Sequence, residues 1–112
     1  MANVFKNAIV PNVGNTWTAA YTAPAGKASY MIQLDIACTG NTGVQVSVRV
    51  FDFSTSQYAY IVRYAPVPEG SSIQIIDGQK IVLEAQDSVE IMCESAGQFV
   101  DAVGSLIEDI NS

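Results

Sequence analysis

The sequence contains no histidine. That removes the side chain that most often serves as a general base near neutral pH, and with it the commonest transition-metal ligand. A nucleophilic cysteine needs such a base beside it. The two cysteines, Cys38 and Cys93, are too far apart for a Cys-x-x-Cys metal or redox motif. Basic residues are scarce: Lys6, Lys27, Arg49, Arg63 and Lys80 are the whole set, and they do not cluster. Nucleic-acid binding needs clustered Lys and Arg to displace counterions from phosphates, so no direct DNA or RNA partner is expected. Long apolar runs are missing as well. No stretch approaches the roughly 18 to 20 apolar residues of a membrane span. Met1 to Val13 carries one Lys and no apolar block, unlike a secretory signal. The expectation is a chain made and folded in a cytoplasm, with no membrane partner.

Charge of either sign is also thin, at 14% of residues, while hydrophobic residues reach 49%. Two readings fit that balance. One is a well-packed domain with a surface of Ser, Thr, Asn and Gln; the other is an apolar surface covered by other subunits, because interface cores are depleted in charge. The net charge is −6, and everything charged after Lys80 is acidic: Glu84, Asp87, Glu90, Glu94, Asp101, Glu108 and Asp109. These acids form either a solvated face or a patch for a basic neighbour. The 112 residues make one domain, residues 1–112, with no repeat, linker or low-complexity tract.

The dominant pattern is period-two alternation, the mark of strands with one buried face. Ala28, Tyr30, Ile32, Leu34, Ile36 and Cys38 share one phase, with Lys27, Ser29, Gln33 and Asp35 on the other. After the loop Thr39-Gly40-Asn41-Thr42-Gly43, Val44, Val46, Val48 and Val50 alternate with Gln45, Ser47 and Arg49. Asp52 to Gln57 reads as a turn. Tyr58 to Tyr64 is a strand β-branched or aromatic on both phases, which suits a sheet centre or a subunit contact. Pro66-Val67-Pro68-Glu69-Gly70 reads as a break, Ser71 to Ile76 as a strand, Asp77-Gly78 as a hairpin turn and Lys80 to Glu84 as a strand. Ser88 to Glu94 and Gln98 to Glu108 follow, and Thr16 to Thr22 precedes. No segment carries a 3.6-residue period. About eight short strands predict an all-β, antiparallel β-sandwich of jelly-roll or immunoglobulin-like topology. Residues 1–14 are mixed and read as a short strand or an arm. Cys38 and Cys93 fall on apolar strand phases and read as buried thiols, with a disulfide as the alternative outside a reducing compartment.

A search for catalytic chemistry returns nothing. There is no G-x-S-x-G elbow and no glycine-rich phosphate loop. Glu90 and Glu94 are a carboxylate pair on one strand face, but four residues of strand separate them by roughly 13 Å, beyond the spacing glycosidases use. They read as solvated strand charges. Asp77, Asp87 and Asp101 lack the alternate-position loop ligands of a calcium site. No cofactor, metal or catalytic residue is expected, which leaves binding or assembly.

One run of motifs has a family likeness. Tyr21-Thr22-Ala23-Pro24-Ala25-Gly26-Lys27 precedes the long alternating strand. Val44-Gln45-Val46-Ser47-Val48 follows, then Pro66-Val67-Pro68-Glu69-Gly70-Ser71-Ser72. Gly78-Gln79-Lys80-Ile81-Val82-Leu83-Glu84-Ala85-Gln86-Asp87-Ser88-Val89 comes next, and Val100 to Glu108 closes the series. Over about residues 16 to 108 this resembles a family of small bacteriophage virion proteins. It departs at Gln86, where the family has Gly, a change of little cost if that residue keeps negative φ. The resemblance implies a virion structural protein, either a capsid decoration (cement) subunit or a tail-associated one. A decoration subunit implies the major capsid protein and its own copies, as a homotrimer, for partners, and the capsid surface for location, after assembly in the host cytoplasm. Tyr58, Tyr60, Tyr64, Phe51 and Phe53 are the candidate subunit contacts, since aromatic anchors dominate interfaces. Val4, Phe5, Ile9 and Val10 are the candidate arm contacts. The competing readings are a tail, collar or baseplate component and a glycan-binding module that uses Trp17 and the tyrosines.

Overall fold

The computed structural model describes the backbone of residues 3–109 and the side chains of residues 5–76 and 81–108. Eight strands follow one another: β1 (Asn3–Val13), β2 (Thr18–Thr22), β3 (Ala28–Cys38), β4 (Val44–Asp52), β5 (Gln57–Val67), β6 (Ser72–Leu83), β7 (Ser88–Cys93) and β8 (Val100–Asp109). They form two antiparallel four-stranded sheets, ordered β1-β8-β3-β6 and β2-β7-β4-β5. First pairs with last, second with seventh, third with sixth and fourth with fifth. The pairings of β3 with β8 and β4 with β7 then join these hairpin arms within each sheet. An eight-stranded hairpin rolled up in this way is a jelly roll. Of the two topologies left open by the sequence, this is the one adopted.

The core lies between the sheets. Met31, Leu34, Ile36, Ala102 and Leu106 face inward from the first sheet; Val46, Val48, Val89 and Ile91 face them from the second. Val44 to Val48 and Val89 to Cys93 bury the expected phase, whereas in β3 the buried residues are Ser29 and Met31, then Leu34, Ile36 and Cys38. A bulge between Met31 and Gln33 interrupts the pairing with both neighbours and switches the face. The single even-numbered phase expected over residues 28–38 therefore holds only from Leu34 onward, because one unpaired residue inverts everything before it. Gly104 of β8 lies alongside this bulge. A Cβ there would sit 3.0 Å from the Gln33 carbonyl oxygen, so the close approach of the two backbones favours glycine.

Three other expectations change. Asp77-Gly78 is not a hairpin turn: β6 runs through it as one strand, with its register against β3 shifting nearby. Nor does Pro66 end β5. It sits in the strand opposite Gln45, and β5 is an edge strand rather than a central one, so a residue without an N–H is tolerated. Residues 3–13 are not a free arm but β1, paired in register with β8 of the same chain.

The turns carry the remaining signals. Pro24-Ala25-Gly26-Lys27 closes with Lys27 N–H donating to the Pro24 carbonyl, and Gly26 has φ +77°. The turn from Glu84 to Asp87 places Gln86 at φ +69°. The premise of negative φ at Gln86 is thus overturned: the residue occupies the left-handed region that glycine would occupy without strain.

Candidate functional site

On the outer face of the second sheet, β4 and β5 are joined by the Asp52–Gln57 turn, which sets Phe51 opposite Tyr58 and Arg49 opposite Tyr60. Pairing of β4 with β7 sets Glu90 on the other side of Arg49. The result is a continuous row of rings and guanidinium groups. The Arg49 guanidinium carbon lies 3.9 Å from the Trp17 ring centroid and 3.8 Å from that of Tyr58. Its Nε donates to Glu90 Oε1 at 2.7 Å. Trp17 leans on Tyr60 with centroids 5.9 Å apart; Phe51 contacts Tyr58 at 4.9 Å and Phe53 at 6.5 Å. Arg63 lies over both Tyr60 and Tyr64, 4.7 Å from each centroid, and donates to the Tyr64 hydroxyl. The contacts of half-buried Arg49 each contribute about 0.5 to 2 kcal/mol, and those of exposed Arg63 are weakened by solvent.

This geometry fixes the side chains but leaves the face open. Tyr58 is 51% exposed, and Tyr60, Tyr64 and Phe53 are exposed to a similar degree. All five aromatic residues predicted from sequence as subunit contacts therefore meet on one surface. Sequence reasoning missed what organises them, namely Arg49, Arg63 and Glu90. The signal was available: Arg49 and Phe51 stand two apart on one strand, and Tyr58 and Tyr60 two apart on the next. A short turn between them places each across from a partner. The carboxylates differ from expectation too. Glu90 is ion-paired and Glu94 Oε2 accepts from the Ser47 hydroxyl, so neither is a solvated strand charge. The Ser47 hydroxyl also accepts from the Tyr64 N–H, where the backbone adopts φ +57°.

The predicted arm residues divide. Phe5 and Ile9 are exposed on the outer face of the first sheet, Val10 packs against the core, and Val4 lies outside the described side chains. Cys38 and Cys93 are buried free thiols, one in each sheet, and burial pushes the Cys93 thiol above its ordinary value. Asp87 spans two loops, accepting from the Phe53 and Glu84 N–H groups. Asp101 caps the Asn12 N–H; the Asp77 side chain is outside the described residues. No group of three or more Cys, Asp and Glu side chains converges among the described residues.

A second polar cluster joins the two sheets. Tyr21 of β2 donates its hydroxyl to Glu108 of β8 at 2.5 Å and shares a 2.9 Å hydrogen bond with Ser29 of β3. Lys6 of β1 reaches Glu108 Oε1 at 3.3 Å. The Tyr21 hydroxyl foremost, with Lys6 and Lys27 adding to it, holds the Glu108 carboxyl below its usual value. Burial, reinforced by Glu108, pushes Tyr21 up to about 12.

The fold defines a class, the jelly-roll β-sandwich, with an aromatic and arginine-rich outer face. No family model matches the chain, and no curated protein matches its sequence. Solved structures do share its architecture. A chain from Bacillus endospore appendages, which form a family of disulfide-linked pili, superposes with a TM-score of 0.51 at 13% identity, over 95% of this chain and 86% of that one. A chain from infectious bursal disease virus, Gt strain, superposes with a TM-score of 0.50 at 10% identity. That match covers 95% of this chain and 32% of the viral one, so this chain spans about a third of its length. At such identities the likeness is one of fold.

Proposed function

We propose that this protein is a non-enzymatic structural subunit of an assembled particle, and specifically a bacteriophage capsid decoration subunit. The observation that carries the reading is the face built by Trp17, Arg49, Phe51, Tyr58, Tyr60, Arg63 and Tyr64. Trp, Tyr and Arg are the residues that dominate binding energy at protein interfaces, and here Tyr58, Tyr60, Arg63 and Tyr64 are exposed while half-buried Trp17, Arg49 and Phe51 hold the row in place. Rigid anchors lose little conformational entropy on binding. The virion-like sequence motifs and a fold shared with a pilus chain and a viral chain support the same reading. The partners it implies are the major capsid protein and further copies of this chain; nucleic acid is not among them.

The test is the location of the chain in intact particles by cryo-electron microscopy. Clusters of many copies on the head, with the Tyr58–Tyr60 face buried against a neighbour, are the expected result. A few copies in a ring at the tail would replace decoration with a tail role. Density showing that face open to solvent would overturn its assignment as the contact.

A further inference from the structure

The first strand is held in two unequal parts. Val13 is 1% exposed, in the core, and the residues after it are tied to the second sheet. The Gly14 carbonyl accepts from Cys93 N–H, and Asn15 Nδ2 donates to the carbonyls of Cys93 and Glu94. Residues 3–10, by contrast, have one neighbouring strand, β8, and their largest described side chains point away from the core. Phe5 is 78% exposed and Ile9 62%, leaving Ala8, Val10 and the Lys6–Glu108 ion pair as the inward contacts. Between these parts the register breaks, from Val10 opposite Ala102 to Val13 opposite Val100. The break contains Pro11, which cannot donate to a ladder, and Asn12 at φ +57°, a left-handed conformation that Asn holds more readily than any other residue but glycine.

We propose that residues 3–10 are exchanged between copies, pivoting at Pro11–Asn12, so that β1 of one molecule pairs with β8 of another. The edge of β8 is the same in every copy, so the incoming strand remakes each backbone bond of Asn3 to Val10 with Asp109 to Ala102. It also remakes the Lys6–Glu108 ion pair. Exchange thus leaves the ladder fully paired, and the Asn12 N–H that parts from Asp101 is exposed to water, which makes this a low-cost route to association. It also relaxes Asn12, whose left-handed conformation serves to return the strand to its own sheet. Outside, the row Phe5, Ile107, Tyr30 and Val82 crosses all four strands of that sheet. Linking two molecules through β1 brings a second copy alongside this row. The inference extends the assembly reading in requiring neighbours, but it stands on the opposite sheet from the aromatic face.

The experiment uses the full chain with Ile9→Cys and Val103→Cys, which are directly opposite in the β1–β8 register and both exposed. Cys38 and Cys93 are buried and remain unreacted in the folded protein. A short thiol cross-linker is applied at rising protein concentration, and products are resolved on a denaturing gel. Exchange gives covalently joined chains whose fraction rises with concentration; Ile9→Cys alone and Val103→Cys alone, each treated separately, do not. A single internally linked monomer at every concentration overturns the proposal, while leaving the particle-location test of the aromatic face to be decided by itself. The hinge supplies a second readout. Asn12→Ala, which holds the left-handed conformation less readily than Asn, raises the joined fraction by about fivefold in the exchange equilibrium, and Asn12→Gly does not raise it. Equal fractions in the two variants overturn the role of the hinge.

Discussion

The inner faces of the two sheets are interchangeable in kind: Met31, Leu34, Ile36 and Leu106 on one, Val46, Val48, Val89 and Ile91 on the other, all aliphatic and closed to solvent. Their outer faces have nothing in common. The first sheet shows solvent the row Phe5, Ile107, Tyr30 and Val82 and the pair Ile9 and Val103, with no arginine clamping them. The second shows rings clamped by two arginines and a glutamate. Inner faces are set by the need for a core of this volume, which any jelly roll must satisfy. The outer clamp costs side-chain entropy without adding to that core, so it needs a different explanation, and the recognition role proposed above is one.

The comparison can be broken first at the core. Leu34→Ala in the first sheet and Ile91→Ala in the second are each expected to cost about 2 to 5 kcal/mol. Urea unfolding followed by circular dichroism measures both. Near-equal losses support equivalent inner faces; a loss under about 1 kcal/mol for one would mean that its sheet packs loosely. Next in size is the polar tie between the sheets. Tyr21→Phe removes the hydroxyl that Glu108 and Ser29 share, and is expected to cost about 1 to 3 kcal/mol.

That tie also predicts a pH profile. Glu108 is depressed on folding, so its contribution is complete above about pH 5 and is lost as pH falls through its folded value. Tyr21 is raised, so its contribution is complete below about pH 10 and is lost as pH climbs toward about 12. Stability of the native chain should fall off on both sides of that window, and the Tyr21→Phe chain should show a flatter profile on both. A variant with unchanged slopes would place the titration elsewhere.

How much of this was readable in advance depends on the length scale. Alternation in Val44 to Val50 and Ser88 to Glu94 gave the strands, and turn chemistry at Pro24-Ala25-Gly26 gave a reversal that the fold uses. The strand total also agrees, but through two offsetting differences: β6 (Ser72–Leu83) is one strand where two were expected, and residues 3–13 take the strand alternative rather than the arm. The first was not accessible to local pattern. Asp77-Gly78 has turn composition, yet the strand runs on through it, with Asp77 paired to Gln33 of β3. The Met31–Gln33 bulge was signalled only by the apolar run Tyr30-Met31-Ile32, which blurs the alternation, and the face switch itself follows from tertiary register. For the aromatic face, residue types were legible and their convergence was not, because it depends on β4 lying between β5 and β7.

A smaller effect tests the turn that links β6 to β7. Gln86 at φ +69° carries strain that glycine lacks, so Gln86→Gly should stabilise the chain by about 1 kcal/mol. The gain is read as a higher urea midpoint with an unchanged slope. Destabilisation would mean that the Gln86 side chain contributes more than its backbone costs.

The smallest expected change in stability is the most informative for function. Tyr60→Ser and Arg63→Ser alter exposed groups of the second sheet, and Val82→Ser alters an exposed group of the first. All three should stay within about 0.5 to 1 kcal/mol of the native chain, because none removes a buried contact or leaves a buried charge unpaired. Incorporation into particles should separate them. Losing the Tyr60 ring or the Arg63 guanidinium should abolish or strongly reduce occupancy, whereas Val82→Ser should be incorporated normally, and occupancy is read from the ratio of this chain to the major structural protein in purified particles. If all three were incorporated alike, the clamped face would be an ornament of the monomer, and the difference between the outer faces would carry no functional weight. If Val82→Ser failed while the other two succeeded, the contact would belong to the first sheet, on the side where β1 is exchanged.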